Sequence, residues 1–163
     1  ETKIKLKNKN VLVIGAGGAA KSIIFGLMQK RANVFVFSRN QKKAYAVSRQ
    51  LGAIDLPEVG VKELLDLNVF DILINATPVG MKGYPKEFSF AKKIKNCVVM
   101  DSVYRPVKTP LLKTAQKNRC KTVFGLKMFV FQALEQFRLF TGKTFNYVEA
   151  KNLLLKHLKS DKK

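Results

Sequence analysis

The sequence predicts a three-layer α/β domain: a mostly parallel sheet of about six strands, helices on both faces, right-handed crossovers, and further helices at the C-terminus. Three observations predict it. Short branched apolar runs recur at residues 11–14, 34–37, 70–74, 98–100 and 122–124, as strands buried on both faces require. Between them the apolar spacing lengthens to three or four, the helical period. At 163 residues, 47% hydrophobic and 26% charged, the chain has the composition and length of one globular domain.

Residues 1–10 are polar and Lys-rich. They are too short to fold alone and are expected to be the tail of a linker, with the domain spanning 1–163. The first strand runs into Gly15-Ala16-Gly17-Gly18-Ala19-Ala20, and Ala20, Ile23, Ile24, Leu27 and Met28 then follow a helical stripe. Gly15 takes a turn closed to residues with a Cβ, Gly17 lets the backbone approach a pyrophosphate, and small Ala20 lets the helix sit close on the strand. The helix start presents free N–H groups and a positive dipole end to an anion. A G-x-G-x-x-A pattern between a strand and a helix, in a unit closed by the strand at 34–37, is a dinucleotide-binding fingerprint, so the expected domain is Rossmann-like. The second strand ends at Ser38-Arg39-Asn40, with Lys42 and Lys43 just beyond. An NAD site usually carries Asp or Glu there for the ribose 2′-hydroxyl. A carboxylate would repel a 2′-phosphate and a guanidinium would bind it, so the expected cofactor is NADP. The plainer alternative is a surface arginine.

Residues 41–51 place Ala44, Val47 and Leu51 on one helix face that ends at Gly52. Residues 52–68 are irregular, with a short helical stretch at 61–67. The strand at 70–75 runs into Ala76-Thr77-Pro78-Val79-Gly80-Met81, at the carboxyl edge where open α/β sheets bind ligands. Asn75 and Thr77 fit two roles there, contact with a ligand or bonding to the local backbone of a turn. After the strand at 98–101, Thr109 reads as an N-cap with Pro110 at the first helical position. Asp101 fits a general base or an acceptor of loop backbone bonds. A last strand at 122–124 reaches Gly125, which turns the chain into a helix from about residue 127 to 140. That helix is apolar nearly all round and expects the sheet on one side and a surface outside this chain on the other. Gln132 lies one turn after Met128 on the same face, aiming an amide at the strand ends. Asn146 and Glu149 match a capping box for a closing helix with the stripe Tyr147, Ala150, Leu154 and Leu158. The one histidine, His157, falls in its last turn, where helix-end charge complementarity accounts for it.

The formal net charge is +20, from 31 Lys and Arg against 11 Asp and Glu. The basic residues are scattered along every helix, without the aromatic interleaving of a single-strand binder. No nucleic-acid or membrane partner is therefore expected, and the positive excess is read as attracting a phosphorylated cofactor. No apolar run nears the 18 or so residues of a membrane span and no signal-peptide pattern opens the sequence, so a soluble, cytoplasmic protein is expected. Cys97 and Cys120 lack a C-x-x-C partner and are read as reduced, buried thiols, with no metal site.

Residues 75–81 (N-A-T-P-V-G-M), together with 15–20, 101–112 (D-S-V-Y-R-P-V-K-T-P-L-L) and 125–133 (G-L-K-M-F-V-F-Q-A), closely resemble the carboxyl-terminal half of shikimate dehydrogenase. The match runs in order over nearly all of residues 9–158. It implies an NADP-dependent oxidoreductase of aromatic amino-acid biosynthesis that reduces 3-dehydroshikimate to shikimate. It implies that Gly15, Ala16, Gly17, Gly18, Ala19 and Ala20 hold the cofactor, and that Arg39 takes the 2′-phosphate with Lys43 as a second basic contact. Ala76 and Thr77 would border the cofactor. Val103, Tyr104, Gly125 and Met128 would surround the nicotinamide, and Gln132 would reach a hydroxyl of shikimate. Ser38 and Asn40 depart from the family's usual N-R-T, which leaves the adenine-side bonds open. The family's catalytic lysine and aspartate belong to an amino-terminal substrate domain absent from this chain. No catalytic residue is therefore assigned here, Asp101 and Lys108 do not take their place, and the fragment alone is expected to be inactive. The small-molecule substrate would be met through the missing domain, and the aromatics of the 127–140 helix lead to an expectation of self-association. A quinate paralogue using NAD and a basic Rossmann-like interaction module stand as alternative readings, and the resemblance leaves open a parent fused to a dehydroquinate dehydratase.

Overall fold

A computed structural model describes residues 4–160. In chain order the elements are β1 (Asn10–Ile14), α1 (Gly18–Gln29), β2 (Asn33–Phe37), α2 (Gln41–Leu51), β3 (Ile54–Asp55), α3 (Glu58–Asp66), β4 (Ile72–Asn75), a 3-10 turn (Ala91–Lys93), β5 (Val98–Asp101), α4 (Pro110–Lys117), β6 (Lys121–Phe124), α5 (Gly125–Thr141) and α6 (Tyr147–Ser160). The strands form one sheet in the order β3-β2-β1-β4-β5-β6, and every neighbouring pair is parallel.

The continuous apolar runs follow from this topology, because a central parallel strand buries both faces. On β1, Leu12 and Ile14 enter a core layer with Val61 and Leu65 of α3 and Leu111, Leu112 and Ala115 of α4. Val11 and Val13 point the other way, toward Ala20, Ile24 and Leu27 of α1 and Ala44 and Val47 of α2. The direction of winding reverses between β1 and β4, which opens a crevice at their carboxyl ends. No described helix is long and apolar enough to cross a membrane.

Three stretches differ from the sequence reading. The expected linker tail belongs to the domain from residue 4 onward: Ile4 and Leu6 pack on the core, the Asn8 N–H donates to the Arg31 carbonyl at 2.8 Å, and the Lys9 ammonium meets Asp71 at 2.7 Å. Residues 1–3 and 161–163 of the expected 1–163 span lie outside the described residues. The irregular stretch 52–68 contains β3, a two-residue strand too short for any period to show, and α3 begins at Glu58, three residues earlier than expected. The expected strand at 122–124 also includes Lys121.

Helix α5 begins at Gly125 itself, two residues before the apolar pattern suggested. Glycine is a poor helix former, so local propensity argues for a turn. Tertiary packing overrides it, because a Cβ at residue 125 would lie 2.5 Å from both the Asp101 and Ser102 carbonyl oxygens. Replacing Gly125 with Ala is expected to lower stability by about 1–3 kcal/mol in urea unfolding, the scale of an overpacked site. Gly26→Ala, in the middle of α1 with open space around it, is expected to raise stability by about 0.5–1 kcal/mol in the same measurement.

Candidate functional site

The turn between β1 and α1 forms one wall of the crevice. Gly15 has φ +127°, and a Cβ there would come within 2.7 Å of the Ala76 carbonyl oxygen. The backbone is stitched on both sides, by the Gly15 N–H to the Phe37 carbonyl at 2.7 Å and the Ala76 N–H to the Ile14 carbonyl at 2.8 Å. Gly17 is the N-cap of α1 in extended conformation, with no side-chain cap bond and no acidic residue in the first turn. The first N–H groups of the helix are thus left for an anion. Gly17, Gly18 and Ala19 are exposed, whereas Ala20 is fully buried in the core layer with Val11 and Val13, as a close helix–strand seat requires.

Ser38 and Arg39 follow β2 and form the second wall. Arg39 is exposed and has no ion-pair partner among the described residues. Asn40 serves the helix behind it: its Oδ1 accepts the Lys43 N–H at 3.0 Å and caps α2. The third wall is residues 76–79 after β4, joined by residues 84–90. Together they enclose a cavity of about 430 Å³, within the range of small-molecule sites.

Of the expected cofactor residues, Gly15, Ala16, Gly17, Ser38, Arg39, Ala76 and Thr77 line this cavity. Gly18 and Lys43 line a neighbouring shallow depression with Lys21, beside the start of α1. Ala19, Ala20 and Asn40 line neither. Val103 and Gly125 are buried outside the cavity, Met128 is half-buried, and Tyr104 stacks on Phe129 with ring centroids 4.2 Å apart. Gln132 is exposed on α5. The sequence reading missed Glu58, Lys21 and the segment 84–90. Glu58 carried one readable signal, an i,i+4 pair with Lys62, here closed at 2.8 Å; the segment has no periodicity at all.

The two open roles at the strand ends resolve into one buried network. Asn75 Nδ2 donates to Asp101 Oδ1 at 2.8 Å and to the Val79 carbonyl at 3.1 Å, while Asn75 Oδ1 accepts the Thr77 N–H at 2.9 Å and its hydroxyl at 2.7 Å. Asp101 also accepts the Val103 N–H at 3.0 Å and the Thr109 hydroxyl at 2.6 Å. Asn75, Asp101 and Thr109 are all fully buried. Burial pushes the Asp101 carboxyl above the usual carboxylate range, against the opposing pull of its Thr109, Val103 and Asn75 bonds. Its bonds are those of a structural acceptor. The cysteines are buried and free, and burial together with the neighbouring Cys120 pushes the Cys97 thiol up to about 12.

This strand order, with a glycine turn at the point where winding reverses, defines the Rossmann-type class of α/β domains. The chain belongs to the shikimate/quinate 5-dehydrogenase family, whose model matches residues 1–101, and a model of the shikimate 5′-dehydrogenase C-terminal domain matches residues 125–155. Shikimate dehydrogenase (NADP(+)) of Methanosphaera stadtmanae is 36% identical over 94% of this chain and 57% of its own length. The chain thus spans about half the length of the curated relatives it matches. Quinate dehydrogenase from Corynebacterium glutamicum in complex with NAD superposes with TM-score 0.81 at 28% identity, covering 92% of this chain and 56% of that one. Shikimate 5-dehydrogenase from Thermus thermophilus in complex with NADP(H) and shikimate gives TM-score 0.75 at 30% identity, covering 91% and 55%.

The raised Asp101 pKa has a signed consequence. The folded state holds its proton more tightly than the unfolded state, so this group's contribution to stability is fully present below the unfolded value, about 3.9. It declines as pH rises to the folded value and is level above it. Asp101→Asn keeps an acceptor for Asn75 and Val103 and is expected to abolish that decline. Urea unfolding of both proteins at a series of pH values checks it: the variant's stability relative to wild type should rise upward from about pH 4.

Proposed function

We propose that this chain is the NADP(H)-binding half of a shikimate dehydrogenase, the enzyme that reduces 3-dehydroshikimate to shikimate with NADPH. The observation that carries the reading is Arg39 at the end of β2, where an NAD site would have a carboxylate, lining one cavity with the glycine turn. The residues fit the group. A Cβ at position 15 would close the turn, the start of α1 is uncapped, and Lys21 and Lys43 flank it. The quinate dehydrogenase solved with NAD has the same fold, so fold alone does not choose the cofactor; the charge at residue 39 favours NADP.

In this reading the N–H groups at the start of α1 bind the pyrophosphate, Arg39 binds the 2′-phosphate, and Ala76 and Thr77 border the cofactor. Val103, Tyr104, Gly125 and Met128 shape the nicotinamide end, and Gln132 orients the substrate through a hydroxyl. When bound, the cofactor supplies the hydride. The catalytic lysine and aspartate come from a substrate domain outside these residues, which would cover the exposed Phe131, Phe137 and Phe140 of α5 and Phe145 beside it; without it, that face favours self-association. The cytoplasm is its compartment.

Arg39→Glu is expected to weaken NADPH binding by about 1–3 kcal/mol and to spare NADH, the scale of a lost charge-assisted bond. Separate calorimetric titrations of the two nucleotides check this, and equal losses for both would show the phosphate assignment to be wrong. With 3-dehydroshikimate and NADPH, the 163-residue chain is expected to show no cofactor oxidation above background in a steady-state absorbance assay.

A further inference from the structure

The basic residues are scattered along the sequence, but the parallel topology gathers many of them in space. Because every strand runs the same way, the segments that lead into β1, β2, β4, β5 and β6 (residues 4–9, 30–32, 66–71, 91–97 and 117–120) all lie at the amino edge of the sheet, opposite the cavity. They contain ten Lys and Arg against two acids. Both acids are taken up internally: the Lys9 ammonium binds Asp71 at 2.7 Å and that of Lys93 binds Asp66. The other eight cations are exposed and have no ion-pair partner among the described residues. Lys92, Lys95, Lys117 and Arg119 ring one shallow depression on the β5–β6 side, and Lys30 and Arg31 stand on the β2 side.

The middle of this edge differs from its flanks. The turn 66–71 before β4 is neutralised by its two ion pairs and pinned from both sides, by Asn10 Nδ2 to the Val69 carbonyl at 3.0 Å and by Asn96 Nδ2 to Asn68 Oδ1 at 3.3 Å. On this pinned turn Leu67 is 73% exposed. An apolar side chain held in place between two groups of unpaired cations has the anatomy of a protein contact, an apolar centre inside a charged rim. A phosphate backbone is bound by cations alone and gives Leu67 no partner. A bilayer is entered by rows of Trp, Phe or Leu, and these segments expose one leucine and no aromatic. We propose that the amino edge is a docking surface for a protein that presents carboxylates on both sides of an apolar recess, with Leu67 seated in the recess and the flanking cations steering and orienting the approach. The face lies at the other end of the sheet from the cavity, so the inference is independent of the NADP(H) reading.

The test titrates the 163-residue chain at about 0.15 M salt against two fluorescent synthetic peptides with polyglutamate ends, one with Gly-Leu-Leu-Gly and one with Gly-Ser-Ser-Gly between them. A short DNA duplex and phosphatidylserine vesicles are titrated beside them. The leucine peptide is expected to bind about threefold or more tightly than the serine peptide. Leu67→Ser should remove that preference and leave the serine peptide's affinity unchanged. Reversing two rim charges together, Lys95→Glu with Arg119→Glu, should weaken both peptides roughly tenfold. The same reversal at Lys151 and Lys156, exposed on α6, should change them by less than about twofold, because separated surface charges are screened. Every replaced side chain is exposed, so thermal melts should match wild type; a Leu67→Ser protein that melts well below it would make Leu67 a packing residue and overturn its role as anchor. The proposal also falls if neither peptide binds, if the two bind alike, if the preference survives Leu67→Ser, or if the α6 reversals weaken binding as much as the rim reversals. It falls equally if the duplex or the vesicles bind more tightly than the leucine peptide and lose that affinity on rim reversal, since the face would then belong to nucleic acid or membrane.

Discussion

One buried hydrogen bond, Asn75 Nδ2 to Asp101 Oδ1 at 2.8 Å, sets the geometry of the carboxyl edge. It joins the last residues of β4 and β5, which pair in register. Each partner uses its remaining capacity on its own loop, Asn75 on Thr77 and Val79, Asp101 on Val103 and Thr109. In a low-dielectric interior such a network is stable only when every member is satisfied. Two close backbone approaches then depend on it. Gly15 passes the Ala76 carbonyl and Gly125 passes the carbonyls of Asp101 and Ser102, each at a separation that excludes a Cβ. The network thus fixes both the loop that borders the cavity and the start of α5.

Charge acts at two ranges. With 31 basic residues against 11 acidic ones, the domain carries a large positive excess, so it repels itself while attracting anions from solution. That long-range field is screened beyond about 8 Å at physiological ionic strength, so it brings a phosphorylated ligand near without placing it. In the proposed reading, placement belongs to the local pattern: Lys21 and Lys43 beside the start of α1, Arg39 on the cavity wall, and Glu58 held by Lys62 and Ser89 so that it does not oppose them.

The parts legible in the sequence are those where one signal outweighs local competition. β1, α1 and β2 lie where the expected switches of period put them, α2 covers residues 41–51 and ends at Gly52 as expected, and Thr109 with Pro110 opens α4. The Asn75–Asp101 pair was visible only as two polar residues at strand ends. Their partnership spans 26 residues, and no local rule chooses it over contact with a ligand. Gly125 has the local signature of a turn, and its reason to be glycine lies in the carbonyls of Asp101 and Ser102, which no local pattern shows. Residues 84–90 have no period, yet they supply a wall of the cavity, with Phe88 stacked on Phe90 at 5.3 Å.

Helix α5 is apolar for two reasons along its length. Near its start, Leu126 and Val130 are buried and Phe129 packs on Tyr104, which belongs to the loop after β5. Farther along, Phe131 stacks on Tyr147 and Phe137 meets Phe145, but Leu139 remains 66% exposed and Phe140 84%. Packing among the described residues therefore accounts for the first half of the helix and leaves the second half bare. A 17-residue helix is about 25 Å long and moves as a rigid rod. Its first residue is locked against the ends of β5, so any surface that seats on Leu139 and Phe140 also fixes the orientation of Met128 and Gln132 relative to the carboxyl edge.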